Sequence, residues 1–169
     1  MIEKTTTWYE FTQNDSGGYF VQDDKVCHRL FIEANSFNEA MEKAEELGCY
    51  FNGVDDGIDC PCCGDRWDFG EEIDIEKYKT EGYKVQTYGY GNLLKKVKAE
   101  WEKKYRKYEV VEEPMFETGW GLVHYTGTIR ISSIEEYAQI LADEYDWTTP
   151  DIRIYYKNGE VKEIFTEVQ

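Results

Sequence analysis

Three thiols stand within four positions at Cys60-Pro61-Cys62-Cys63-Gly64, inside a stretch that reads DCPCCGDRW from residue 59 to 67. The outer pair has the spacing of a metal knuckle. Proline fixes the approach, glycine permits a tight reversal, and two thiolates can converge on one tetrahedral cation at about 2.3 Å. A closed zinc site needs two further ligands, and the other donors of this kind are Cys27, His28, Cys49 and the spare Cys62. Cys49, at the exit of a predicted helix, fits best, which gives a candidate structural zinc set of Cys49, Cys60 and Cys63. The same spacing serves dithiol redox chemistry, which asks for an electropositive setting that lowers a thiol pKa. Here Asp55, Asp56, Asp59 and Asp65 work in the opposite direction. A plainer reading is a compact loop of reduced cysteines whose Trp67 and Phe69 plug the core.

A second candidate site combines aromatic rings with cations. Tyr88-Gly89-Tyr90-Gly91 and the FETGWG stretch from Phe116 to Gly121 read as loops that set rings beside glycines. Rings left accessible in this way suit stacking on a base or another planar ligand, and nearby cations can take a phosphate. The candidate ligand-binding set is Tyr88, Tyr90, Lys95, Lys96, Trp120 and Arg130. The alternative is that these rings cover the core from the loops, since Tyr and Trp are often half-buried. No phosphate-binding glycine loop ending in Lys-Ser/Thr, no G-x-S-x-G, no H-E-x-x-H and no G-x-G-x-x-G after a strand occurs. His28 and His124 fall in strand-like segments, where a structural role is the commoner one. Nothing in the chain therefore argues for an enzyme, although its 35 carboxylates guarantee chance pairs.

The elements that must hold these residues follow from periodicity. TTTWYEFT, NDSGG and YFVQ read as a hairpin turning at Gly17 and Gly18, and residues 26 to 34 as a third strand. Ser36 and Glu39 have capping-box spacing ahead of an apolar stripe (Phe37, Ala40, Met41, Ala44, Leu47), and Gly48 can end that helix. From Asp55 to Glu76 nine carboxylates face a single Arg66, an irregular acidic excursion around the cysteines. A second helix is predicted from about Leu93 to Tyr108, apolar on one face and basic on the other. EVVEEP and GLVHYTGTIRIS read as strands flanking a loop, and residues 132 to 145 as a third helix with Ser132 and Glu135 at its cap. The end is a hairpin through Asn158-Gly159. The expected fold class is α+β, with antiparallel strands or hairpins covered by about three helices. We expect a single domain over residues 1–169, with the cysteine-containing excursion at about 53–76.

Bulk properties narrow the function classes. A 169-residue chain with 41% hydrophobic and 16% aromatic residues fits one domain, or one domain with a large insertion, that buries its own core. A net charge of -16 repels phosphate backbones and disfavours direct nucleic-acid binding. The positive charge is segregated: Lys95, Lys96, Lys98, Lys103, Lys104, Arg106 and Lys107 stand against Glu100 and Glu102 on the second helix. That helix is either a solvated face balancing the acidic excursion or a local anion site. No apolar run approaches the roughly 18 residues of a membrane span, and MIEKTTTWYE has no signal-peptide character. A cytoplasmic location is expected. Five cysteines, three of them adjacent, do not make a secreted disulfide framework.

The segment LGCYFNGVDDGIDCPCCGDRW, together with FIEANSFNEAMEKAEELG before it and SIEEYAQILADEYDWTTPDIRIYYKNGEV later, resembles a family of small uncharacterised proteins encoded by tailed phages. Its most specific element is DCPCCGDRW, and it is weakest between Tyr83 and Thr128. The resemblance implies an accessory protein made in an infected bacterium, and implies no activity. By analogy with such proteins, the expected role is non-enzymatic counter-defence that binds and sequesters a small nucleotide-type immune signal. The alternatives are an inhibitor that occupies a host defence protein, DNA mimicry included, and an unrecognised hydrolase. Self-association into a homo-oligomer stays open.

Overall fold

The computed structural model describes residues 5–90, 93–119, 121–144 and 152–167. They form two compact units, one drawn from Met1–Asp74 with Ile134–Gln169 and one from Ile75–Ser133. The fold class is α+β, as expected.

The first unit is built on a five-stranded sheet. Its strands are β1 (Thr7–Thr12), β2 (Arg29–Ala34), β3 (Glu71–Ile73), β7 (Ile152–Tyr155) and β8 (Val161–Ile164), in the order β3-β1-β2-β7-β8. All neighbours are antiparallel except β2 and β7, which run parallel with Arg29 opposite Ile152. Phe11, Leu30, Phe31, Ile32 and Ile154 are essentially inaccessible to water. β7 is buried at every position, as an inner strand of a covered sheet must be. Helix α1 (Phe37–Leu47) follows its sequence signals closely. Ser36 Oγ accepts from the Glu39 N–H at 3.1 Å, and Gly48 ends the helix at φ 116°. Such a cap is worth about 1 kcal/mol. Ala40, Ala44 and Leu47 are the buried stripe, whereas Phe37 stays largely exposed. Helix α4 (Ile134–Glu144) buries Ile134, Tyr137, Ala138 and Leu141, and Tyr137 meets Phe31 edge to face. Tyr145, the last predicted position of that face, lies outside the described residues. The terminal hairpin forms as predicted, with Gly159 at φ 96°.

The predicted first hairpin does not form. β1 pairs with β2 on one side and β3 on the other, while residues 19 to 28 wander without strand pairing. The reason is a side chain: Gln13 Nε2 donates to the carbonyls of Val21 and Cys27, and its Oε1 accepts from the Val21 N–H, all at 2.8 Å. The backbone groups that a return strand would use are therefore already taken.

The second unit is a three-stranded antiparallel sheet with one long helix. Its strands β4 (Tyr83–Tyr90), β5 (Val110–Gly119) and β6 (Leu122–Ile129) lie in the order β4-β6-β5, and α3 (Leu94–Tyr105) packs on one face. A short helix, α2 (Ile75–Thr80), precedes β4 and brings the described helices to four, against about three predicted. Val97, Trp101 and Tyr105 bury the stripe read from the sequence. Trp101 Nε1 donates to the Val85 carbonyl at 3.4 Å. Its ring lies so close over Gly127 that a Cβ there would sit 2.5 Å away.

Candidate functional site

The two aromatic-glycine segments are strand, not loop. Tyr88 and Tyr90 belong to β4, and Phe116 to Gly119 end β5. This changes what the rings do, because alternate residues of a strand point to opposite faces. A Cβ on Gly89 would meet Val97 of α3 at 2.3 Å, so position 89 faces the helix and Tyr88 and Tyr90 face away from it. Register carries the assignment across the sheet: Tyr90 lies opposite Leu122, Tyr88 opposite His124, Gln86 opposite Thr126 and Lys84 opposite Thr128. Met115 and Glu117 of β5 complete this outer face opposite Thr126 and His124.

The outer face is open around the two tyrosines and Met115, while Thr128 toward its other end is buried. Tyr90 is 74% exposed, Tyr88 58% and Met115 57%. Tyr88 is braced rather than loose, because its ring meets His124 edge-on at 4.7 Å and its hydroxyl donates to Gln86 Oε1. Bracing lowers the entropy lost when a ligand stacks on it. Phe116, by contrast, turns to the helix side and packs on Tyr125, ring centroids 5.2 Å apart.

The cations predicted from sequence are not gathered around these rings. Lys95 and Lys96 are exposed on the first turn of α3, on the helix side of the sheet and close in chain to Tyr90. Arg130 follows Ile129, which pairs with Tyr83 at the opposite end of β4, roughly 25 Å from Tyr90. It is engaged there with Glu109, by backbone at 2.8 Å and by side chain at 3.4 Å. Trp120 lies outside the described residues. Lys84 and His124 were missed, although the alternation in YKVQTYGY puts Lys84, Gln86, Tyr88 and Tyr90 on one face once that segment is read as a strand.

Charge divides sharply between the units. Residues 75–133 carry 11 basic and 8 acidic side chains, a net +3, which leaves -19 for the rest of a chain at -16. Three of the lysines, Lys95, Lys96 and Lys98, sit in or beside the first turn of α3, which has no acidic residue there and no side-chain cap. Positive charge at that end opposes the helix dipole, and a bound anion would relieve it.

In the first unit the DCPCCGDRW segment is organised by Arg66, which is only 3% exposed. Its guanidinium donates to Tyr50 Oη, to Gln13 Oε1 and to the carbonyls of Asn14, Ser16 and Tyr19, at 2.6 to 3.4 Å. Asp59, equally buried, sits 3.7 Å from Arg66 Nε, accepts from the Arg66 N–H at 2.8 Å and accepts from Tyr50 Oη at 2.9 Å. Of the nine carboxylates in the excursion, Asp59 alone is buried, and it is spent on this network. Trp67 is buried as expected, but Phe69 is exposed and stacks on Phe51 instead of plugging the core.

The thiols separate into two groups. Cys49 is a core residue with Cys27, and burial pushes its thiol up to about 12, with Cys27 and Asp23 adding to the effect. Cys60 and Cys63 share a turn closed by the Cys63 N–H on the Cys60 carbonyl at 3.1 Å. Backbone N–H groups of Cys62 and Cys63, with the neighbouring thiols, draw the Cys60 thiol below its ordinary range despite the acidic surroundings. Among the described residues no three His, Cys, Asp or Glu side chains are grouped to hold a metal, so the Cys49, Cys60 and Cys63 set is not assembled. No described helix is long and apolar enough to cross a membrane.

No curated protein and no solved structure matches the chain. One family model matches residues 6–111, a span that runs from β1 through the Arg66 network, β4 and α3 to the start of β5, and the chain belongs to the family described as Domain of unknown function (DUF7296).

Proposed function

We propose that this protein acts by holding a small planar anion of the nucleotide type, without transforming it, on the outer face of the β4-β6-β5 sheet. The observation that carries the reading is the pair of exposed rings, Tyr88 and Tyr90, side by side on the face opposite α3, in the unit with net positive charge. A base stacks on Tyr90 with Tyr88 and its His124 brace beside it. Lys84, on the same face toward the other end of β4, supplies a cation for phosphate, and the lysines opening α3, on the helix side, add to the positive field of the unit. The strongly negative remainder of the chain repels polymeric nucleic acid and leaves small ligands as the class that fits. Together with the resemblance to tailed-phage accessory proteins, this supports a counter-defence role by sequestration of a nucleotide-type immune signal in the cytoplasm of an infected bacterium.

The test is to mix the full chain with extract of infected, immune-activated cells, re-isolate it, denature it and identify what is released by mass spectrometry. Intact nucleotide supports sequestration; cleaved nucleotide means a hydrolase; no nucleotide refutes the reading. A second reading rests on a different observation. Seven carboxylates between Asp55 and Asp74 are exposed in a unit carrying -19, which suits a basic host protein and DNA mimicry. That reading predicts a basic partner that co-purifies and is stripped by salt.

A further inference from the structure

We propose that Cys60 and Cys63 are a reversible dithiol that closes to an intramolecular disulfide by exchange with a small-molecule disulfide. The geometry is already close to that product. The turn from Cys60 to Cys63 is closed by a backbone hydrogen bond of 3.1 Å and carries one thiol at each end. A disulfide requires Cα atoms about 4.4–6.8 Å apart, and a hydrogen-bonded turn keeps the Cα atoms of its first and last residues within about 7 Å. The turn is also held from outside. The Cys60 N–H donates to Ser16 Oγ at 3.1 Å, and Ser16 is 1% exposed. Asn14 Nδ2 donates to the carbonyls of Cys63 and Asp65. Asn14 and Ser16 thus hold the backbone of the turn from a separate stretch of chain.

Access and selectivity follow from burial. Cys63 is exposed and Cys60 half-exposed, while Cys27 and Cys49 are buried and out of a reagent's reach. Cys62 is exposed as well, but a bond to its neighbour Cys63 would close an eight-membered ring across one peptide unit and force that unit from its planar trans form. The step balances as thiol–disulfide exchange. A thiolate of the pair attacks one sulfur of the external disulfide and releases one small thiol. The second protein thiol then displaces the other, so that two electrons and two protons leave with two small thiols while one S–S bond forms in the protein.

The experiment treats the reduced full chain, in buffer containing a chelator, with excess glutathione disulfide. The protein is then denatured, free thiols are blocked with an alkylating agent, and the peptide containing residues 49 to 63 is mapped by mass spectrometry. The expected product has lost two hydrogens, is linked between Cys60 and Cys63, carries no glutathione, and is alkylated at Cys49 and Cys62. Cys62→Ser gives the same link, whereas Cys60→Ser and Cys63→Ser give a glutathione adduct on the remaining partner. Because the wild-type map alone decides the linkage, a variant that fails to fold does not blur the outcome. Wild-type protein that ends as glutathione adducts, or that links through Cys62, overturns the proposal.

Discussion

Arg66→Met tests whether the DCPCCGDRW segment is held by its buried charge network. The substitution keeps much of the side-chain volume and removes five hydrogen bonds and the partner of Asp59. Asp59, 6% exposed, is left charged without its cation, and the Ser16 and Tyr19 carbonyls lose their donors. Removing one partner of a buried ion pair costs about 3–5 kcal/mol, and each carbonyl left dry pushes toward the upper end of that range. Taking about 4 kcal/mol and a urea dependence of about 2 kcal/mol per molar, the unfolding midpoint should fall by roughly 2 M. Tryptophan fluorescence during urea unfolding reports it, since the adjacent Trp67 is 2% exposed and gains water on unfolding. Tyr50→Phe, which deletes only the hydroxyl between Asp59 and Arg66, should cost about 1 kcal/mol. An Arg66→Met midpoint no lower than that of Tyr50→Phe refutes the assignment of Arg66 as the hub.

Gly127→Ala forces a methyl group to within 2.5 Å of the Trp101 ring and 3.0 Å of Pro114, so thermal melts should show a loss of about 1–3 kcal/mol in the second unit. Tyr90→Ala, at a ring 74% exposed, should leave the melting curve within about 0.5 kcal/mol of wild type while weakening any stacked ligand by about 1–3 kcal/mol in calorimetry. Burial, reinforced by the charge of Arg29, holds His28 down to about 4 from its ordinary 6.5. Between those values the unfolded chain binds a proton that the folded chain refuses. His28 therefore costs nothing above about pH 6.5, and stability drains away as the pH falls from there toward 4. Urea midpoints measured at pH 7 and pH 4.5 should converge in His28→Gln relative to wild type.

The sequence signals that held were local ones. Ser36, Glu39 and Gly48 delimit α1 because a cap, a first turn and a left-handed stop are each satisfied within a few residues. The Asn158-Gly159 hairpin and the Val97-Trp101-Tyr105 stripe held for the same reason. What failed depended on distant partners. The first hairpin was lost to Gln13, whose side chain occupies the carbonyls of Val21 and Cys27. Tyr88-Gly89-Tyr90 has the composition of a loop, yet Gly89 is a strand residue kept small by the approach of Val97. Phe69 and Trp67, two residues apart, were read together as core; only Trp67 pairs inward, through an isolated bridge to Gln13. Arg66 was read as a lone cation in an acidic stretch, and nothing in its neighbours announces five acceptors drawn largely from residues 13 to 19. For the candidate site, the exposure of Tyr88 and Tyr90 agrees with the expectation of accessible rings, whereas Arg130 lies at the far end of the sheet, a separation that only the strand register reveals.

The account turns on whether the open face of the β4-β6-β5 sheet is where a ligand is held. Wild-type protein and the Tyr88→Ala/Tyr90→Ala double variant, matched for folded content by circular dichroism, are passed through the same extract of infected, immune-activated cells. Each is then denatured, and released small molecules are quantified by mass spectrometry. The account predicts an intact nucleotide released in stoichiometric amount from wild type and at least tenfold less from the double variant, the loss expected when about 1–3 kcal/mol is removed at each ring. Equal release from both proteins, release of cleaved nucleotide, or no release from wild type contradicts it.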